Sequence, residues 1–467
     1  MKKNMLAAAA AVVLLGVAIV GGAAVTGGQA KKKLQELPVA WQAQWPLMKV
    51  VSQKYERGLF SSTHIVTVQF GCQSAPDAAG AITFRQRIQH GPLPGFSTIG
   101  AAVIDTDIVV PEAERAQVAA LIGDKSPFHA HTVVGLGGST NTQLAIPAIN
   151  YKAPTGEQVV VWQGLNGELR QSGGSVRYEV ASPGFSVVTK DEKMALDMKL
   201  GALHMHGDLT GADGSVWLRP GSGEFELVSF DMNATGPAER GMPPVAVALK
   251  QLKATAENKL DKDLLSNTTT FSATGVINDV KVDKLELQAS MKRLHAPTYQ
   301  RLIQRMMDTG TAACGMKQAV SPQVMLAQMQ QDFAALLPYN PEYAIDKLAI
   351  ELDGKRGELS YSFGINGATP ADAQQPLPAL LMTRMQLRGQ AKLPAAWVEK
   401  TMARFGNGQQ APQGDPAAQA EMANVMLAKL TNDGLIVREG DMLSSQISYD
   451  KGQMLVNGKP VGRPPAQ

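Results

Sequence analysis

Residues 345–364 read IDKLAIELDGKRGELSYSFG. Apolar and polar side chains alternate on both sides of Asp353-Gly354. Asp-Gly accepts the positive φ angles of a two-residue hairpin turn, so the stretch predicts two antiparallel strands. An antiparallel hairpin with a clean alternation needs a sheet that buries one face.

The same grammar recurs toward the N-terminus. THIVTVQF (63–70), AITFRQRIQHG (81–91), AAVIDTDIVV (101–110) and residues 132–151 alternate in the same way. EQVVVWQG, GSVRYEVA, FSVVTK, MALDMKLGALHMHGDLT, GSVWLRP and GEFELVSFDMNATG follow, ending near Gly236. Strands joined by Gly-rich turns at intervals of roughly 10–20 residues predict a long antiparallel meander. Residues 271–290 and 381–394 read as further strands, and 442–461 closes as a hairpin at Lys451-Gly452. The two hairpins, KLAIELDGKRGELSYSF and QISYDKGQMLVNGKPV, share a turn pattern that is a weak sign of an internal repeat. A sheet of this length curls into a groove or pairs into a filled sandwich, and patterning does not separate the two.

Helical spacing is expected over 31–50, where Trp41 and Trp45 lie i,i+4, and over 245–260. It recurs over 299–310, 322–338, 394–406 and 417–434. Ser321 before Pro322 reads as a cap with a first-turn proline, and Gly434 reads as a stop. Met306, Met307, Met325 and Met329 recur near helical spacing. That stripe reads as core filling, with a promiscuous apolar surface as the alternative.

The N-terminus supplies the location. Residues 4–30 carry no charge, and an apolar run over 5–25 is long enough as a helix to cross roughly 30 Å of hydrocarbon. It exceeds the usual signal-peptide core, so an uncleaved anchor is expected, with a cleaved signal as the alternative. Lysines flank both sides, at positions 2–3 and 31–33, so the positive-inside rule gives no clean orientation; the arrangement resembles a secreted chain with a retained signal anchor, its bulk outside the cytoplasm. The predicted organisation is a cytoplasmic stub and transmembrane anchor at 1–30 and a juxtamembrane helix at 31–54. A strand-rich periplasmic region at 55–290 and a mixed helix and hairpin region at 291–467 follow. The fold class is α+β and strand-rich: one N-terminal transmembrane helix, then long antiparallel meander sheets with packed helices.

Composition excludes more chemistry than it suggests. A net charge of only +3, with no basic block interleaved with aromatics, argues against nucleic acid as a partner. Cys72 and Cys314 sit in no metal spacing; they are two unpaired thiols or one long-range disulfide. His204 and His206 share a strand face, as do His129 and His131, and Asp208 lies on the former face. Four histidines meeting would make a zinc site, but no HExxH or cysteine ligand supports it, and a solvated strand face is the simpler reading. The loop at 135–140, GLGGST, lacks the lysine of a phosphate-binding loop and reads as a turn. Asp105 with Asp107, and Glu224 with Glu226, are same-face pairs that ordinary strand alternation explains. No catalytic, metal or cofactor-binding residue is predicted, and no cofactor.

Three short motifs carry a family resemblance. Tyr55-Glu56-Arg57-Gly58-Leu59-Phe60-Ser61-Ser62 is similar to a YxRGxFSS-like segment that follows the anchor in the YdgA-like bacterial envelope proteins. His90-Gly91-Pro92-Leu93-Pro94 resembles their HGPxP stretch, and Val456-Asn457-Gly458-Lys459-Pro460 resembles their closing NGKP segment. The resemblance covers nearly the whole chain. It implies an inner-membrane anchor, a periplasmic bulk and no established catalytic residue. Structural roles are expected for Tyr55, Arg57, Gly58, Phe60, His90, Gly91, Pro92, Pro94, Asn457, Gly458, Lys459 and Pro460. Gly58 is expected to permit a turn that Phe60 anchors, and Pro92 and Pro94 to fix an extended edge.

The expected function is that of a non-enzymatic, membrane-anchored envelope protein binding an apolar ligand, such as lipid, or a protein partner. A structural or assembly factor acting as a homo-oligomer is the alternative, and an envelope hydrolase or metalloprotein a minor one.

Overall fold

The computed structural model describes residues 48–70, 81–96, 98–191, 194–211, 218–236, 244–313, 321–369, 371–372, 375, 377–399 and 416–461. The expected anchor, residues 31–47 of the expected juxtamembrane helix, Cys72 and Cys314 lie outside this set. Among the described residues no helix is long and apolar enough to cross a membrane.

Strands dominate, as the alternation requires. In chain order they are β1 (Met48–Arg57), β2 (Ser61–Phe70), β3 (Ala81–His90), β4 (Ala102–Val109), helix α1 (Glu112–Ile122), β5 (His129–Val134), β6 (Thr140–Ile146) and β7 (Ile149–Lys152). Next come β8 (Gln158–Trp162), β9 (Leu165–Ser172), β10 (Ser175–Ser182), β11 (Phe185–Asp191), β12 (Met194–Leu200), β13 (Leu203–Leu209) and β14 (Gly221–Thr235). β15 (Val245–Asp261), β16 (Leu264–Ile277) and β17 (Val280–His295) precede helices α2 (Ala296–Ala313) and α3 (Pro322–Ala334). β18 (Glu342–Leu352), β19 (Lys355–Ile365), α4 (Leu377–Arg384), β20 (Met385–Pro394) and α5 (Pro416–Asn432) lead to β21 (Val437–Glu439), β22 (Met442–Asp450), β23 (Gln453–Val456) and β24 (Lys459–Pro460).

The described residues fall into two compact units, one within Met1–Ala248 and Gln300–Ala327, the other within Leu249–Tyr299 and Gln328–Gln467. In the first, an antiparallel ladder runs β1-β2-β3-β4-β5-β6-β9-β10-β13-β14. A second ladder runs β7-β8-β11-β12-β14, so the two share β14. Residues 147–148, 163–164, 183–184 and 201–202 interrupt four neighbouring strands at one level, forming a seam across the sheet. The residues at the seam explain it. Pro147 and Pro183 donate no ladder hydrogen bond. Gly164 has φ +87, and a β-carbon there would lie 2.7 Å from the Ile146 carbonyl oxygen. Backbone bonds continue across the seam, from Gln163 N–H to Gly184 O at 3.0 Å and from Gly201 N–H to Ser229 O at 2.8 Å.

One face of this sheet is the core. Met48, Val66, Val68, Phe84, Phe128, Ala130, Leu144, Leu165 and Val180 form one buried cluster drawn from β1 to β10. Phe84 and Phe128 are fully buried and meet edge to face, with centroids 6.4 Å apart. The inner face between β2 and β6 is therefore filled, which resolves the choice between groove and packed core there.

The second unit carries the ladder β16-β17-β18-β19-β20-β22. β21 and β23 lie end to end along the far edge of β22, and β24 pairs with β23. The deciding hairpin forms as read: Asp353 and Gly354 have φ of 49° and 73°. Lys451-Gly452 turns the same way, and Ser321 caps α3 through Val324 N–H at 3.3 Å.

Several expectations are corrected. Residues 48–54, expected as helix, belong to β1. A register shift between Val50 and Ser52 breaks the period of two and hides the strand. Residues 245–260 are β15, not helix. Val245, Leu249 and Leu252 stand four and three apart, but Gln251 at φ 52° shifts the strand's phase rather than continuing a helix. Residues 381–384 end α4, and that strand begins at Met385. The first described strand begins at Met48, and position 290 falls inside β17. Helix α1 was not anticipated, although Pro111, Glu112 and Glu114 at its start and Gly123 after its end are legible helix punctuation.

Candidate functional site

The first two motifs, separated in sequence by the 27 residues 63–89, meet at one end of the first unit. β1 and β2 turn at Gly58, whose N–H bonds Ser61 O at 2.7 Å. A β-carbon on Gly58 would lie 2.8 Å from that same oxygen, so the turn needs glycine. His90, the last residue of β3, donates its backbone N–H to Phe60 O at 2.9 Å. Its Nε2 lies 2.9 Å from Ser62 Oγ. Gly91 N–H then bonds Ala101 O at 2.8 Å, and Ala101 N–H bonds Val134 O at 2.7 Å, which brings in the loop between β5 and β6. A side chain on Gly91 would run into the Gly100 carbonyl. Tyr55 packs on the Ile88–Ile104 cluster, its ring 5.9 Å from that of His64.

Two expected roles are corrected here. Phe60 does not anchor the turn; it is 75% exposed, and only its carbonyl is structural. Pro92 and Pro94 do not fix an extended edge. β3 stops at His90, the Gly91-Pro92 bond is cis, and Pro94 is buried at the start of a short 3-10 turn. Arg57 is exposed at the base of the first turn.

The third motif works inside the second unit. β21 and β23 leave a gap opposite Gln446, and Asn457 fills it. Its Oδ1 accepts Gln446 N–H and its own N–H bonds Gln446 O, both at 2.8 Å, while its Nδ2 donates to Gly434 O at 2.9 Å. Asn457 and Gly458 hold φ of 48° and 76°, which Asn and Gly tolerate. Lys459 runs its stem against Gly434, and Pro460 pairs with Leu455. Gly458 also borders a concavity of about 550 Å³ whose walls include Glu342, Asp346, Tyr361, Arg388 and Gln390. Ala344, Ile345 and Ile447 complete a lining that mixes polar and apolar side chains.

The histidine pairs do not combine. His129 and His131 lie on β5, and His204 and His206 on β13, with β6, β9 and β10 between them. Four strand spacings separate the pairs by roughly 19 Å. Each pair has a carboxylate instead. His129 Nδ1 is 2.9 Å from Asp107, His131 Nδ1 is 2.8 Å from Asp105, and His204 Nε2 is 3.1 Å from Glu179. Arg87 adds a 2.8 Å bond to Asp107, and Asp208 pairs with Arg177. Glu224 and Glu226 stand opposite His206 and His204 across β13–β14. Among the described residues no cluster of three or more His, Cys, Asp or Glu is arranged to hold a metal. The loop at 135–140 is a hairpin turn, closed by Gly135 N–H to Ser139 O at 2.8 Å.

One buried titratable group stands apart. His64 is 1% exposed on the core face, with Nδ1 2.8 Å from Gln86 Oε1. Burial pushes its pKa below the ordinary histidine value, and the Gln86 bond opposes that only in part. Sequence reading passed over it because a single histidine in an alternating strand looks like any inward position.

This architecture is a strand-rich antiparallel protein whose distinguishing residues build loops and strand joints. The chain belongs to the family described as bacterial protein of unknown function (DUF945), the YdgA-like family, which it matches over residues 1–463. Neither the curated proteins nor the solved structures contain a match.

Proposed function

We propose that this is a non-enzymatic, membrane-anchored envelope protein that works by binding an apolar ligand or a protein partner. Family membership and the apolar run at 5–25 support the location. One observation carries the binding reading: the two N-terminal motifs converge on a sheet end where large apolar side chains face solvent. Leu59 is 84% exposed and Phe96 91%. Such side chains clustered at one end mark interaction sites more often than accidents of folding.

The test is site-specific photocrosslinking in intact cells at Phe60 and Phe96, with Glu114 on α1 as the control position. Adducts at 60 and 96, absent at 114, are expected. Equal or absent labelling at all three positions would remove the reading. A homo-oligomeric assembly role is the second reading, favoured by Val425 and Met426 on α5, 65% and 45% exposed. Analytical ultracentrifugation of the detergent-solubilised chain separates the two, since assembly predicts a concentration-dependent oligomer.

A further inference from the structure

The ends of β1–β2, β3–β4 and β5–β6 lie side by side, linked by the backbone bonds from His90 to Phe60 and from Ala101 to Val134. Together they span roughly 24 Å along the sheet edge, five strand spacings. They expose Leu59 (84%), Phe60 (75%), Leu93 (51%), Phe96 (91%), Ile99 (73%) and Leu136 (60%). The loops themselves, 58–61, 91–101 and 135–139, contain no Asp, Glu, Lys or Arg. Phe96 holds φ 59°, a left-handed conformation unfavourable for an aromatic residue, and it keeps its ring in solvent nonetheless.

From this geometry we infer that the three loop tips insert into the surface of a phospholipid bilayer. The chemistry favours lipid over a protein partner. Protein interfaces set apolar anchors in pockets inside a polar rim, and the residues that carry most of their binding energy are enriched in Tyr, Trp and Arg. These tips carry no Tyr, Trp or Arg: Leu59 and Phe60 project from the first, Leu93, Phe96 and Ile99 from the second, and Leu136 from the third. Projecting Leu, Ile and Phe side chains need no matching pocket in a fluid acyl region, and burying them there removes apolar surface from water. Arg57 is exposed at the base of the first tip, where a headgroup phosphate would lie.

Chain length permits the contact. β1 runs toward the tips, so the chain enters this unit at the opposite end, about 33 Å away for a ten-residue strand. Residues 26–47, between the apolar run and β1, reach up to roughly 70 Å when extended. The tips are therefore free to meet the anchoring bilayer or a second one. This inference rests on the binding role proposed above and specifies its ligand.

The experiment uses the full-length chain in nanodiscs, with C72S and C314S. Leu136→Cys carries an environment-sensitive fluorophore, and Glu114→Cys in α1 is the control. Doxyl lipid is placed first in the anchoring nanodisc, then in added protein-free vesicles of phosphatidylethanolamine and phosphatidylglycerol. The expected result is a blue shift and quenching at 136 in one arm, with none at 114; the arm that quenches identifies the bilayer. Adding L59S, F60S and F96S should return quenching at 136 to the level at 114 without changing the melting temperature. Absence of quenching in both arms overturns the inference. A blue shift that grows with protein concentration without quenching also overturns it, in favour of self-association. Protein adducts at 60 with an unquenched label at 136 would leave the binding role standing and remove the bilayer.

Discussion

Ser62 Oγ and His90 Nε2 lie 2.9 Å apart, joining the two N-terminal motifs across β2 and β3. The contact is polar and part-buried, and the loop that follows is packed backbone against backbone. Replacing Ser62 with Ala should cost about 1 kcal/mol, the usual worth of one hydrogen bond. Gly91→Ala should cost more, about 2–3 kcal/mol, because the methyl group meets the Gly100 and Ala101 carbonyls, which cannot move without breaking the bonds at Ala101. Urea denaturation measures both. A G91A midpoint equal to that of the parent would mean the loop is not packed in this way.

Asn457 makes a second quantitative case. It supplies three hydrogen bonds at the joint between β21 and β23 while sitting at positive φ. Asn457→Ala loses both side-chain bonds and is strained in the left-handed region, so a loss of about 2 kcal/mol is expected. Asn457→Asp keeps the acceptor for Gln446 N–H and tolerates the conformation, so it should cost less. Hydrogen exchange at the Gln446 amide reports the joint directly. Equal protection in N457A and the parent protein would show that the side chain is not what holds the two strands in line.

The hairpin at Asp353-Gly354 was legible because turn chemistry and alternation agreed over twenty residues. β1 and β15 were not, because a register shift after Val50 and the positive φ of Gln251 each break the period of two on which strand reading depends. The seam was invisible for a different reason. Pro147 and Gly201 lie inside stretches that read as single strand segments, Gly164 and Pro183-Gly184 fall at segment ends, and only the register shows all of them aligned at one level. The motif residues were found in sequence, but Phe60 was expected to be packed. Whether a loop aromatic packs or projects depends on what lies across the sheet end, which no local pattern encodes.

The separation of the histidine pairs predicts a null metal response. Zinc needs three or four ligands within about 2.3 Å of one point. His129 and His131 are engaged by Asp107 and Asp105, and His204 by Glu179, on strands four places apart. Calorimetric titration with zinc should show no stoichiometric binding tighter than that of an H204A/H206A variant. EDTA should leave the melting temperature unchanged. A one-to-one zinc isotherm lost in that variant would restore the metalloprotein reading.

His64 predicts the pH dependence of the first unit. Its pKa is lowered from 6.5 by burial on the core face, so the unfolded chain binds a proton there more readily than the folded one. Stability is therefore fully present above about pH 6.5, declines by up to about 1.4 kcal/mol per pH unit below it, and levels off once the folded histidine is itself protonated. Glu286 titrates in a different window: Lys284 and Lys347 hold it down to about 2, so its contribution is lost only as pH falls below about 4.5. Between pH 6.5 and 5 the slope should thus be dominated by His64 among these two. Asn at position 64 keeps a donor for Gln86 Oε1 but cannot titrate. Chemical denaturation of H64N at a series of pH values should give a flatter profile between pH 6.5 and 5 than the parent, at a lower absolute stability. Parallel profiles would show that His64 is not the group that couples protonation to unfolding.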